Sequence, residues 1–274
     1  MLEQTIARRR ESKRRRRNER ELAKSNRTLL SSLGALEEDR QAGFRVQQGM
    51  MHDTPVSIDV LSLSHFLKPS LILSGDCIDY FELPDGRVLF YIADVSGHGA
   101  AGAIVTVLLK GLFHRLVAEF DPLPTDSSAE IMSWLNDEIL AANLEQHVAM
   151  FLGLINRGRD MLEYTNAGHF PGTILRTEQE TVYLELGGLP LGISPVPGYD
   201  FQRVSLPVPS ELVMFSDGVF EILGEESLEA KEKHLLSLVK GTSGEVDSLA
   251  ENLGLHEVAE VPDDIAIFTV AKTG

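Results

Sequence analysis

Aspartates stand at the ends of several apolar, β-prone runs in this chain. LFYIAD closes on Asp94 and leads into VSGHG. ELVMFSD closes on Asp217 ahead of GVFE, PSLILSGD closes on Asp76, and PDDIAIFTV opens on Asp263 and Asp264. Each run has the composition and length of a buried strand. Strand ends in one sheet lie close together, so these carboxylates can converge. Without cations they would repel one another, and most would be protonated near neutral pH. Hard divalent metals, Mg²⁺ or Mn²⁺ bound through oxygen, would keep them ionised. Asp also starts turns, and that reading suffices for a single Asp-Gly pair; the repeated pattern favours a metal site.

The elements that must position these residues follow from residues 51–274. His52-Asp53-Thr54-Pro55 breaks a preceding helix, and VSIDVLSLSHF alternates as one half-exposed strand. PSLILSGD, CIDYFEL and RVLFYIAD read as strands, the last two joined by a hairpin turn at Pro84-Asp85-Gly86. GAAGAIVTVLLKGLFHRLVAEF reads as a helix packed on the sheet, its small first residues allowing close backbone approach. Ser127-x-x-Glu130 forms a capping box opening a second helix to about residue 143. VAMFLGLI, MLEYTN, GTILR, TVYLEL, FQRVSL, ELVMFS and DIAIFTV read as strands, with helices at about 226–240 and 245–254. Clustered strands with paired helices point to an α+β layered domain rather than an alternating βαβ fold.

Residues 1–50 form a separate region without proline, rich in helix formers. Leu22, Leu29 and Leu36 recur at heptad spacing, continued by Gly43 and Met50, with Leu33 alongside. That suggests a helical linker with a dimerising coiled-coil seam, weakened by Gly43 and by polar Ser25, Ser32 and Asp39.

The net charge of −16 is unevenly distributed: residues 1–27 carry +7 and the remainder −23. RRRESKRRRR at 8–17 is a candidate phosphate-backbone contact. It has no aromatic residue to stack on bases, and the acidic body disfavours nucleic-acid binding. Cys77 is the single cysteine, which excludes an internal disulfide and a cysteine-based zinc cluster. No apolar stretch approaches a membrane span, and no apolar core follows the basic N-terminus as in a secretory signal. The expected compartment is the cytoplasm, with no membrane partner.

GDCIDYFELPDGRVLFYIADVSGHG, NAGHFPG, GGLPLGI, MFSDGVFE and PDDIAI occur in the order seen in bacterial PPM-type (PP2C-like) serine/threonine phosphatases of the SpoIIE/RsbU class. The resemblance covers roughly residues 55 to 271 and looks closest to response-regulator-linked members. It implies a β-sandwich flanked by helices (α-β-β-α), two Mn²⁺ or Mg²⁺ ions, and hydrolysis of phosphoserine or phosphothreonine on a protein. By resemblance Asp94 bridges both metals and the Val95 carbonyl ligates one. Asp217 and Asp263 join Asp94 on the first metal, and Asp76 serves the second, directly or through water. Metal-activated water would then attack phosphorus, and no nucleophilic side chain is needed.

Secondary roles stay open. His98 is a candidate general acid or a structural residue of the turn. His169 would orient a loop, Asp264 and Asp79 would support the ligands, and Lys68 would be a surface lysine or a phosphate contact. Ser74, Cys77, Ile78 and Ala266 depart from the family's usual residues without removing a carboxylate. The class's usual substrate is a STAS-domain anti-anti-sigma factor, and its helical linkers join a receiver or sensor domain upstream. The alternative is a scaffold module that keeps the fold with little turnover.

Overall fold

A computed structural model of the chain describes residues 24–34, 38, 41–47, 49–70, 73–97, 99–119, 127–242 and 244–273. The chain divides into two units, Met1–Arg45 and Val46–Gly274. In the first, residues 24–34 are helical, and Leu29, Leu30 and Leu33 are exposed. Leu22 and Leu36, two of the proposed heptad positions, lie outside the described residues.

The second unit is two stacked antiparallel sheets with helices outside each. One sheet runs in the order β1 (Val56–Ile58), β2 (Leu61–Lys68), β11 (Ile265–Lys272), β10 (Ser210–Phe215), β7 (Thr173–Thr177), β8 (Thr181–Leu184). The other runs β3 (Asp76–Glu82), β4 (Val88–Val95), β5 (Val148–Ile155), β6 (Met161–Ala167), β9 (Gln202–Ser205). Helices α1 (Ala100–Glu119) and α2 (Ser128–Ala141) cover the second sheet. After the short α3 (Val219–Ile222), α4 (Leu228–Gly241) and α5 (Val246–Asn252) cover the first. This is the α+β sandwich expected from the sequence.

Both faces of the central strands are covered, which is why they read as nearly continuous apolar runs rather than alternating ones. The period of two still sorts their side chains. In β4, Phe90 and Ile92 fill the inter-sheet core with Phe268 and Met214, while Tyr91 and Val95 pack on Phe113 and Leu109 of α1. Across the other sheet, Val213 and Ile267 meet Leu235 and Leu249 of α4 and α5. Gly153 is required by this stacking, since a Cβ there would lie 2.2 Å from the Phe90 ring.

Several expectations change. VSIDVLSLSHF is a hairpin rather than one strand, because Asp59 takes a left-handed conformation (φ 55°) and Ile58 pairs with Leu61. Leu73, Ser74 and Gly75 are not in a strand, so Asp76 opens β3 instead of closing the preceding run. The stretch Ala100–Ala118 of α1, with mean hydropathy 1.5, is long and apolar enough to cross a membrane by length and composition, contrary to the sequence reading. Half of it is buried inside the fold, and its apolar residues there belong to the core over the second sheet. Ser127 caps α2, its hydroxyl accepting from the Ala129 amide rather than from that of Glu130 as a capping box would have it.

Candidate metal centre

Antiparallel pairing brings the strand-end aspartates to one end of the sandwich. In the second sheet Asp76 opens β3 and lies directly opposite Asp94 near the end of β4. Asp76 falls in phase with Ile78, and Asp94 with Ile92, so both lie on the inter-sheet face of their strands, Asp76 buried and Asp94 partly open to solvent. In the first sheet Phe215 pairs with Ile267, so the end of β10 meets the start of β11. Asp217 follows the one, and Asp263 and Asp264 precede the other. A pocket of about 380 Å³ is lined by Asp94, Val95, Asp217, Asp263 and Asp264, together with Gly75, Ser96, Gly97 and His147.

Asp76 lies outside that lining, buried behind Asp94 on the neighbouring strand. Asp76 is 4% exposed, Asp94 is half-buried, and Asp217 and Asp263 are exposed. Burial and then the neighbouring Asp94 push the Asp76 carboxyl well above the usual carboxylate range, and the Ser216 hydroxyl only partly offsets this. Burial, then Asp217, Asp263 and Asp264, raise Asp94 to about 7. Asp217 is raised by burial and by Asp263, against the Gly218 amide. Asp76, Asp94 and Asp217 thus each feel neighbouring carboxylates, and like charges directly opposite on paired strands are destabilising. The Asp76 Oδ2 atom is buried with no hydrogen-bond partner.

This set fits hard divalent cations. It is all oxygen, anionic, drawn from two sheets, and short of positive charge. No three Asp, Glu, His or Cys side chains among the described residues already stand as a ready ligand group. Mutual repulsion of uncompensated carboxylates is a sufficient physical reason for that spacing.

Asp264 plays a different part from its neighbour. Its Oδ1 accepts from the Ser70 amide (2.6 Å) and hydroxyl (2.8 Å), and its Oδ2 accepts from the Gly75 amide (2.7 Å). It straps the segment leading into Asp76 to the start of β11. Two glycines make the close approaches possible. A Cβ on Gly218 would lie 2.0 Å from the Asp264 carbonyl oxygen, and one on Gly75 would lie 3.0 Å from that of Val95.

The other singled-out residues lie elsewhere. His98 is outside the described residues. Asp79 faces the helices, where it meets Lys110 Nζ at 3.0 Å and His52 Nε2 at 2.7 Å. The Lys68 ammonium donates to the carbonyls of Leu255 (2.5 Å) and Val258, so it is neither a free surface lysine nor part of the pocket lining. His169 is buried in a separate pocket. Sequence reasoning missed His147. The Ser96 hydroxyl accepts from its amide, and its carbonyl accepts from the Ser96 amide, both at 2.9 Å. Only the β4–β5 register, with Val95 opposite Val148, brings it to the pocket, and no local motif announces it.

The fold and this carboxylate pocket define a helix-flanked β-sandwich of the PP2C type. The SpoIIE family profile (Stage II sporulation protein E) matches residues 84–272, more than half of the chain, and the chain belongs to that family. It is 25% identical over 169 residues to phosphoserine phosphatase RsbP of Bacillus subtilis (strain 168), covering 61% of this chain and 41% of that one. To phosphoserine phosphatase RsbU of the same organism it is 27% identical over 201 residues, covering 71% and 57%. The chain thus spans about half the length of these relatives. Among solved structures, the SiaA-PP2C domain of Pseudomonas aeruginosa superposes with a TM-score of 0.72 at 17% identity, covering 88% of this chain and 98% of that one.

Proposed function

We propose that this chain is a metal-dependent protein serine/threonine phosphatase that hydrolyses phosphoserine or phosphothreonine on a regulatory protein. The observation that carries the reading is the meeting of Asp94, Asp217 and Asp263 in one pocket, with Asp76 paired opposite Asp94 and no Lys or Arg among the described lining residues. Family membership and the phosphoserine phosphatase names of RsbP and RsbU support it.

Asp76, Asp94, Asp217, Asp263 and the Val95 carbonyl would hold two Mn²⁺ or Mg²⁺ ions. When bound, such ions supply Lewis acidity that activates water and neutralises phosphate oxygens. The chain's own contribution is positional. The β3–β4 ladder holds Asp76 and Asp94 directly opposite each other. Asp264 fixes the loop ahead of Asp76, and the Gly218 turn keeps Asp217 against the start of β11. His98 is retained as the candidate proton donor to the leaving oxygen.

The regulatory substrate is, on this reading, a STAS-domain anti-anti-sigma factor, in keeping with the SpoIIE/RsbU class. The helical N-terminal region would link the catalytic unit to a receiver or sensor domain and pair with a second copy, in the cytoplasm. Phosphate release from p-nitrophenyl phosphate and from a phosphoserine peptide tests the activity. Release that requires Mn²⁺ and stops with EDTA is expected; equal release by a metal-stripped chain would sink the reading.

A further inference from the structure

A second pocket has a volume of about 360 Å³. Its wall includes Phe170, which packs on Phe220 at 5.1 Å between ring centroids. The Phe220 amide in turn donates to the Asp217 carbonyl. One aromatic contact therefore links a wall of this pocket to the turn that carries Asp217.

The pocket is built rather than incidental. Asn166 Oδ1 accepts from the His169 amide at 2.7 Å, and its Nδ2 donates to the His169 carbonyl at 3.1 Å. These bonds fix the turn that buries His169 to 3% exposure. Gly188, also in the lining, is pressed so close that a Cβ there would lie 2.0 Å from the Asn166 carbonyl oxygen. Neither His169 ring nitrogen has a well-formed hydrogen bond, a costly state for a buried polar group, and the Pro171 carbonyl is a polar group near the ring. Burial holds the imidazole neutral, its pKa lowered to about 4 with the Pro171 carbonyl opposing the shift. One ring nitrogen is therefore a free acceptor.

The charge on the rim is one-sided. Glu185 and Glu232 line the pocket, and no Lys or Arg does. Neither glutamate has an ion-pair partner among the described residues, whereas Glu163, Glu211, Glu225 and Glu229 each have one. The Tyr183 hydroxyl is engaged with the Glu232 carbonyl at 2.7 Å, leaving its ring and that of Phe170 as apolar sides. An anion is disfavoured here. A long alkyl stem ending in a cation fits each part: stem against the rings, charge to the glutamates, N–H to the imidazole.

We propose that the His169 pocket is a subsite for a lysine or arginine side chain of the phosphorylated polypeptide, read beside the phosphoresidue. The inference rests on the phosphatase reading for its placement in the reaction, but binding alone tests it. The probes are fluorescent phosphoserine peptides in which one lysine is moved through each flanking position, with alanine controls. Binding to the full chain is read by anisotropy. In one register lysine should bind about five- to ten-fold tighter than alanine. The Glu185→Gln/Glu232→Gln double variant should lose that preference, and His169→Leu should weaken it with the glutamates intact. Equal binding of lysine and alanine peptides in every register, or a preference unchanged in the double variant, overturns the subsite. Turnover of p-nitrophenyl phosphate, which is too small to reach the pocket, reports separately on the metal centre. Lysine selectivity without turnover therefore upholds the subsite and removes the activity; turnover without selectivity does the reverse.

Discussion

Asp76 and Asp79 lie three residues apart on β3, both almost fully buried, and the chain treats them in opposite ways. Asp79 points to the helices and meets Lys110 and His52, both within 3.0 Å. Asp76 points between the sheets and meets only other carboxylates and the Ser216 hydroxyl, with one oxygen unpartnered. A buried charge that is paired internally completes a fold, whereas one left to face like charges requires something from outside. The same strand thus carries a structural carboxylate on one face and a ligand-ready one on the other. The contrast can be broken at either end.

The largest effect is expected at the unpaired end. Asp94→Asn should lower Mn²⁺-dependent turnover by about a thousand-fold or more, while the metal-free protein unfolds at equal or higher urea concentration because a repulsive charge has gone. A variant that keeps wild-type turnover would remove Asp94 from the metal centre. At the paired end, Lys110→Met should cost about 3 kcal/mol of stability by leaving Asp79 short of its buried partner. Adding Asp79→Asn to it should recover much of the loss in urea titrations. If Lys110→Met alone is neutral, the two ends do not differ as described.

Asp264→Asn tests the strap between them. It puts an amide N–H₂ where the carboxylate now accepts from Ser70 and Gly75. Mn²⁺ affinity measured by calorimetry should fall about 10- to 100-fold, the range for residues that orient ligands. The pH dependence is a smaller effect. Asp94 stands at about 7 in the fold, above its ordinary value of 3.8. An acid raised by folding contributes stability that is full below the unfolded value and lost as pH rises through the folded one. The metal-free protein should therefore be more stable near pH 5 than near pH 8, by about 1–2 kcal/mol. Saturating Mn²⁺ or Asp94→Asn should flatten that slope in thermal melts.

The two ends were not equally legible in the sequence. Asp94, Asp217 and Asp263 were visible because a strand run ending at a glycine turn or beginning after PDD is a local signal. Asp76 was visible as a carboxylate but not as the first residue of its strand: the apolar residues before it suggest a strand, while the Gly75 amide is turned to Asp264 instead. Lys110 and His147 gave no local sign, since α1 packing and β4–β5 pairing bring them to their partners. The β1–β2 turn was hidden because the loose alternation runs through Asp59 without a glycine or proline. Helix α3, four residues long, is too short to show a helical period.

The smallest predicted effect joins the two ends. Gln47 Nε2 donates to the Ser74 carbonyl at 2.7 Å and to the Thr106 hydroxyl of α1 at 3.1 Å, and Gln47 Oε1 accepts from the Ser74 amide at 3.2 Å. The Ser74 hydroxyl then accepts from the Asp76 amide at 3.0 Å. Nearby, the Met50 carbonyl accepts from Lys110, the partner of Asp79. Gln47 therefore holds the backbone entering Asp76, while Met50 and His52 complete the surroundings of Asp79. Gln47→Ala removes bonds worth about 1 kcal/mol net, and most of that loss falls on the approach to Asp76. Mn²⁺ affinity should weaken about three-fold to five-fold, with only a small change in the urea midpoint. Unchanged metal affinity with a clear loss of stability would assign Gln47 to packing alone and uncouple this stretch from the metal end.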